Sequence, residues 1–343
     1  MAYSTISKSS LYFNTKLYSG TGSAQNITGV GFQPDFTWIK DRTNANSHML
    51  VDAVRGATKV LASDANYAET TDANRVSAFT ADGFNVGTNN NVNQSGANVC
   101  SWNWKAGGAG SANTDGSQNT TVSVNTTAGF SIVKWTGADS TASLGHGLGV
   151  VPKMIIAKRL ATRAWTVYHV GVGANKKLVL NTNAAEASAA DFDDTPTSSV
   201  INVGYTDDIN GSGADYIAYC FAEKKGFSKF GKYRGNGNTD GMFAYTGFKP
   251  AFILAKIQGH TNNWYMFDST RNTFNPTTQK LRADTSAAEA TGTDKLIDIL
   301  SNGFKMRSSD AEFNQVGNEY IYMAFAEEPL VANVGESIPA TAR

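Results

Sequence analysis

Two sets of residues in this chain have the types needed for acid/base chemistry. Asp52, His169 and Asp268 close three short apolar runs, "HMLVD", "WTVYH" and "WYMFD". Glu69, Glu186 and Glu289 follow downstream, themselves spaced by 117 and 103 residues. Two carboxyl groups of divergent proton affinity facing one cleft would suit glycosidic-bond hydrolysis. The pattern speaks against that use, because His169 stands where the second site would need its carboxylate. Residues of this kind also close turns and accept from backbone donors. Asp52 with Arg55, and Asp268 with Arg271, share an i, i+3 spacing, which predicts structural ion pairs at strand ends.

No other stretch carries a reaction signature. The four histidines, His48, His146, His169 and His260, have no metal-ligand spacing. "DDINGSGAD" from Asp207 does not fit a calcium loop, and "GHGLG" from Gly145 lacks the strand, helix and Lys-Ser/Thr of a phosphate loop. There is no G-x-S-x-G elbow. The reading is a protein that is not an enzyme, with no catalytic, cofactor-binding or metal-binding residue and no cofactor. The two cysteines, Cys100 and Cys220, lie in apolar runs and read as buried free thiols. Of the aromatic rings most belong to the core, and a core or interface role is favoured for any single one; Trp38 and Trp264 are the candidates for a sugar-stacking surface.

The elements that position these residues come from a repeat. "GFQPDFTWIK", "GLGVVPKMIIAK" and "GFKPAFILAK" each place a proline six residues before a lysine. Phe84, Ile201 and Phe304 are spaced by 117 and 103 residues, as are Glu69, Glu186 and Glu289. Asn93, Asn210 and Asn314 are spaced by 117 and 104, and so are Trp104, Phe221 and Phe325. A period near 100 matches a small domain rather than a solenoid unit. Short runs bounded by Gly, Asn, Asp and Ser read as strands, and no segment sustains a helical period.

The expected fold is all-β: three tandem, internally homologous β-sandwich modules of jelly-roll or lectin-like type. The expected boundaries are 1–106 for the first module with its N-terminal segment, 122–223 for the second and 224–330 for the third. A Gly/Ser/Asn-rich linker at 107–121 separates the first two, and 331–343 is a polar tail. On this reading the second and third modules pack rigidly and the first is more independent. Trp104, Phe221 and Phe325 should be buried at equivalent places, with Asn93, Asn210 and Asn314 in equivalent tight connections.

Composition sets further bounds. Lys and Arg balance Asp and Glu at a formal net charge of +0, which excludes a global field for nucleic acid or anionic membrane. No apolar run approaches a membrane span, so no membrane insertion is expected. The opening "MAYSTISKSSLYFN" lacks a basic region followed by an apolar one, so an extracellular role calls for release by a route such as virion assembly.

The segments "YFNTKLYSGTGSAQNITGVGFQPDFTWIKDR", "SHMLVDAVRGATKVL", "SAFTADGFNVG", "SWNWKAGG", "LGHGLGVVPKMIIAKR", "YIAYCFAEKKGFSKFGKYRGNG" and "YIYMAFAEEP" resemble a repeated β-domain of marine tailed-phage structural and tail-fibre-like proteins. The resemblance spans roughly residues 10 to 328 and carries no functional residues with it. It implies a virion protein assembled in the host cytoplasm, a tail fibre or receptor-binding appendage attaching through multivalent contacts. The expected partners are other virion proteins and a host cell-surface receptor, carbohydrate included, with the chain as a homotrimer. Capsid decoration is the alternative, and a carbohydrate-degrading enzyme the more remote one.

Overall fold

The computed structural model describes residues 4–293 and 296–329. Their architecture is all-β, with three large antiparallel sheets of one strand order. The first sheet runs Phe13–Ser19, Asn98–Trp104, Phe36–Asp41, Met49–Asp52. The second has Phe130–Thr136, Asp215–Ala222, Pro152–Arg159 and Trp165–His169 at its centre, and the third begins Ser228–Arg234, Glu319–Pro329, Phe248–Ile257, Tyr265–Asp268. In each, an early strand pairs with the last strand of its segment, so each sheet closes only when its segment is complete.

A small sheet lies over one face of each large one. These are Gln25–Ile27 with Gly83–Val86 and Val76–Thr80, then Ala142–Gly145 with Val200–Val203, then Phe243–Tyr245 with Gly303–Met306 and Ile297–Leu300. Three separate apolar clusters fill the gaps. Ile27, Ile39, Phe84 and Val99 belong to the first, Val133, Ile155 and Ile201 to the second, and Ile253, Phe267 and Phe304 to the third.

The other faces of the large sheets do not meet water. They meet one another in a fourth cluster, which holds Trp38, Trp102 and Trp104, Trp165, Tyr219 and Phe221, and Phe252, Trp264 and Phe325. Period-2 alternation explains how one strand serves two cores: Trp38 faces the shared cluster while Ile39 faces the local one. Sheets buried on both faces read as continuous apolar runs such as "AFILAKI" rather than as apolar/polar alternation.

Two expectations are corrected by this arrangement. The first sheet is not independent, since its rings pack with those of the other two. The stretch at 107–121 is not merely a linker either. Ser111–Asn113 pairs with the strand Thr120–Asn125, extending the second sheet at its edge. A Gly-rich stretch without an apolar face can still join a sheet, because edge pairing uses only backbone groups. The tail at 331–343 lies outside the described residues.

Candidate functional site

Trp104, Phe221 and Phe325 stand where the three large sheets converge. Their ring centroids are 6.1 Å apart for Trp104 and Phe221, 6.0 Å for Phe221 and Phe325, and 5.7 Å for Trp104 and Phe325. All three contacts are edge-on, which suits the ring quadrupoles.

Around this centre, hydrogen bonds tie the segments pairwise in a closed cycle. The backbone N–H of Glu69 donates to Leu160 O at 2.7 Å, that of Glu186 to Gln258 O at 2.9 Å, and that of Glu289 to Arg42 O at 2.8 Å. Side chains follow the same cycle. Trp165 Nε1 donates to Ala62 O at 2.8 Å and Trp264 Nε1 to Val179 O at 3.0 Å. In the third case His48 Nε2 lies 3.0 Å from Arg282 O. Ala62, Val179 and Arg282 are themselves spaced by 117 and 103 residues.

The candidate acid/base residues belong to these seams. Asp52 Oδ2 accepts from Arg55 Nε at 2.6 Å and from the Tyr219 hydroxyl at 2.9 Å. Arg55 also bonds Glu69 at 3.0 Å. Asp268 takes the Arg271 guanidinium and, at 3.1 Å, Trp102 Nε1. Arg271 bonds Glu289, which accepts two further bonds from Arg42. Burial opposes the charge on Arg55, but Asp52, Tyr219 and Glu69 outweigh it and raise its pKa. Asp52 and Asp268 have no exposed surface. Carboxylates enclosed in this way present no surface to a molecule outside the protein. The strand-end ion pairs read from the sequence are present, but buried rather than at the surface.

The His169 substitution has a partner in another segment. At the seam between the second and third sheets, the position matching Tyr219 and Trp102 is Met323, which has no donor, and the position matching Arg55 and Arg271 is Val172. A carboxylate there would be buried without a cation or a donor, a costly state. His169 instead accepts from Gly171 N through Nδ1 and meets Tyr322 O through Nε2 at 3.2 Å. Burial pushes its pKa down to about 4, keeping the imidazole neutral.

Of three matching buried lysines, two cross the seams and the third bonds within its own segment. Lys40 donates to Ser286 O at 2.9 Å and Lys256 to Asn183 O at 3.3 Å, while Lys158 bonds Ala161 O at 2.7 Å. Burial lowers the pKa of each to about 8.

The binding candidates from the sequence need correction. Trp38 and Trp264 are each only 1% exposed, so neither can stack on a sugar. Their indole N–H groups reach His48 Nδ1 and Val179 O inside the protein. Asn93, Asn210 and Asn314 are also fully buried. Asn93 Nδ2 holds Ser23 O and Gly87 O, both at 2.6 Å. Asn210 Nδ2 holds Ser140 O at 2.8 Å, and Asn314 Nδ2 holds Asn238 O and Ser308 O. Each amide locks the connections at the outer end of its sheet pair. Cys100 and Cys220 are free and buried, and burial pushes the Cys220 thiol up to about 12.

The model of a family described as a domain of unknown function, DUF7483, matches residues 8–329. The chain belongs to the DUF7483 family. No curated protein matches the sequence. The DUF7483 match runs from the turn at Ser9–Leu11 to the end of the strand Glu319–Pro329, so one DUF7483 unit takes in all three large sheets and their shared core. Among its described residues no group of three or more His, Cys, Asp or Glu side chains is placed to hold a metal ion. Among the described residues the most exposed aromatic side chains are Tyr67, Tyr205, Phe243, Tyr245 and Phe274, none of which the sequence reading singled out.

Proposed function

We propose that this chain consists of three homologous, lectin-like β-sandwich modules, at about 1–106, 122–223 and 224–330, closed into a ring. We propose further that it serves on a phage virion as a tail fibre or receptor-binding appendage. It attaches to the host surface by non-covalent, multivalent contacts and does not catalyse a reaction. The observation that carries this reading is the cycle of bonds from Glu69, Glu186 and Glu289, with the polar residues around it consumed in holding three equivalent bodies together. Such a body fixes three sets of outer loops at constant spacing. Weak sites on one rigid frame gain avidity when they can engage together. The same design adds little to turnover at a single site.

Homotrimerisation of whole chains is part of the proposal. Light scattering giving about three times the chain mass of 36.5 kDa supports it, and a single-chain mass confines the three-fold arrangement to the interior of one molecule. The attachment test incubates labelled protein with host cells and, in parallel, measures new reducing ends on host surface polysaccharide. Saturable binding without new reducing ends supports attachment. Released oligosaccharide would restore the enzyme alternative. Absence of cell binding, with antibody label on the head of the particle, would replace the appendage with capsid decoration.

A further inference from the structure

The outer face of the third small sheet differs from its two counterparts. The strand Phe243–Tyr245 points Ala244 into the core and turns Phe243 and Tyr245 outward, 37% and 56% exposed. Ala244, Leu144 and Ile27 are the cross-strand partners of Phe304, Ile201 and Phe84. The positions matching Phe243 are therefore Ser143 and Asn26, and those matching Tyr245 are Gly145 and Thr28. Only the third sheet carries aromatic rings there. The ring of Phe243 lies over Gly303, where a Cβ would meet its Cε2 at 2.8 Å.

An insertion brings a third exposed ring to the opposite edge of the same small sheet. From Asp52 to Lys59 and from His169 to Lys176 is seven residues, but from Asp268 to Gln279 is eleven. Lys59, Lys176 and Gln279 each open the equivalent edge pairing, so the third segment has four additional residues in this loop. The longer loop docks on the free edge of the small sheet. Asn275 Nδ2 donates to Ile299 O and Ile299 N donates to Asn275 Oδ1, both at 2.9 Å. Phe274 is held beside them at 79% exposure. Asn275 and Pro276, which follow Phe274 in this loop, line an open cleft of about 590 Å³ together with Thr239, Asp240, Asp298 and Arg307 among others. Its charges cancel: Asp240 pairs with Lys305 at 2.6 Å, and Arg307 bridges Asp240 at 3.5 Å and Asp298 at 3.4 Å.

We infer that this face is a binding site for a neutral polysaccharide. The inference rests on the attachment reading above and gives it a location. Residues two apart on one face of a strand are about 6.8 Å apart, the scale of one hexose. Flat rings take the C–H face of a sugar, and the neighbouring amide, carboxylate and guanidinium groups take its hydroxyls. A rim of balanced charge complements an uncharged ligand and gives no attraction to a polyanion.

The test is affinity electrophoresis of the full chain through gels containing laminarin, dextran or mannan, with alginate as the acidic comparison. The expected result is retardation by at least one neutral polysaccharide, none by alginate, and at least tenfold weaker retardation of the double variant Phe243→Ser, Tyr245→Thr. These substitutions install residues found at the matching positions, and unchanged thermal melting verifies the fold. Phe274→Ser should weaken binding separately. No retardation by the neutral polymers, equal retardation of the double variant, or preference for alginate overturns the inference. So does concentration-dependent self-association that the double variant abolishes in the absence of glycan retardation. If the chain fails here yet still binds host cells, the site is wrong and the attachment reading stands. If glycan binding is seen but host cells are not bound, the attachment reading fails alone.

Discussion

Replacing Asp52 by His tests whether the seam residues act as a set. The single change removes the acceptor of both Arg55 and the Tyr219 hydroxyl. It leaves a guanidinium with no exposed surface to speak of, still bonded to Glu69 and Leu50 O. Breaking a buried ion pair costs about 3–5 kcal/mol, and the surviving Glu69 contact places this case near 3. Arg55→Val alone strands the carboxylate and should cost about the same. Tyr219→Met alone removes one charged-acceptor hydrogen bond, about 1.5–3 kcal/mol. Independent effects would sum to roughly 8 kcal/mol. The triple variant Asp52→His, Arg55→Val, Tyr219→Met instead reproduces the composition of the seam formed by His169, Val172 and Met323. The new imidazole would face Ala218 O, the counterpart of Tyr322 O. No charge remains unpaired, and only imperfect packing persists, about 1–2 kcal/mol. Urea unfolding followed by circular dichroism measures all four variants. A triple variant destabilised by the sum of the singles, within about 1 kcal/mol, would refute the claim that these positions form one unit.

Truncation at the convergence of the sheets should be equally costly: Phe325→Ala is expected to lose about 3–5 kcal/mol, read as a lower urea midpoint, because its ring contacts both Trp104 and Phe221. The three buried lysines Lys40, Lys158 and Lys256 predict a basic-side response. Their folded pKa values near 8 lie below the ordinary lysine value of 10.5, so above pH 8 the unfolded chain holds more protons and stability rises with pH. Melting temperatures should climb from pH 8 to 9, less steeply in Lys40→Met, before buried thiols and phenols with raised pKa values reverse the trend. On the acid side, His169 sits near 4 rather than 6.5, so the stability it contributes above 6.5 is lost as pH falls towards 4. His169→Gln should flatten that part of a denaturation profile.

Constant offsets made the Trp104, Phe221 and Phe325 positions legible from sequence, because the same environment recurs in one chain. The strand character of "WYMFD" and its counterparts was equally plain. The destination of the second apolar face was not, since period-2 alternation cannot tell a two-sided core from a half-exposed strand when both faces are apolar. For that reason a surface role stays open for Trp38 and Trp264 beside the favoured core role until the structure places both in the shared core. Nor does His169 explain itself locally: the residue that makes it sensible, Met323, lies 154 positions away. The outward rings left two signals, Phe243 and Tyr245 flanking a small residue and the longer loop after Asp268. Both emerge only once the strands are aligned by their pairing.

Closure of the ring also orders events during synthesis. Trp102 and Trp104 lie in the last strand of the first sheet, yet the Asp268 and Phe325 groups that cover them belong to the third. Between Trp104 and Glu289, where the last seam is tied to Arg42, 185 residues must still be made. At 5–20 residues per second that interval is roughly 10–40 s. Throughout it, an aromatic surface destined for the centre of the molecule faces solvent or whatever chaperone receives it. The nascent chain is therefore most open to aggregation while two of its three sheets can already exist, and slowing translation after residue 223 should raise the insoluble fraction more than slowing it before residue 106.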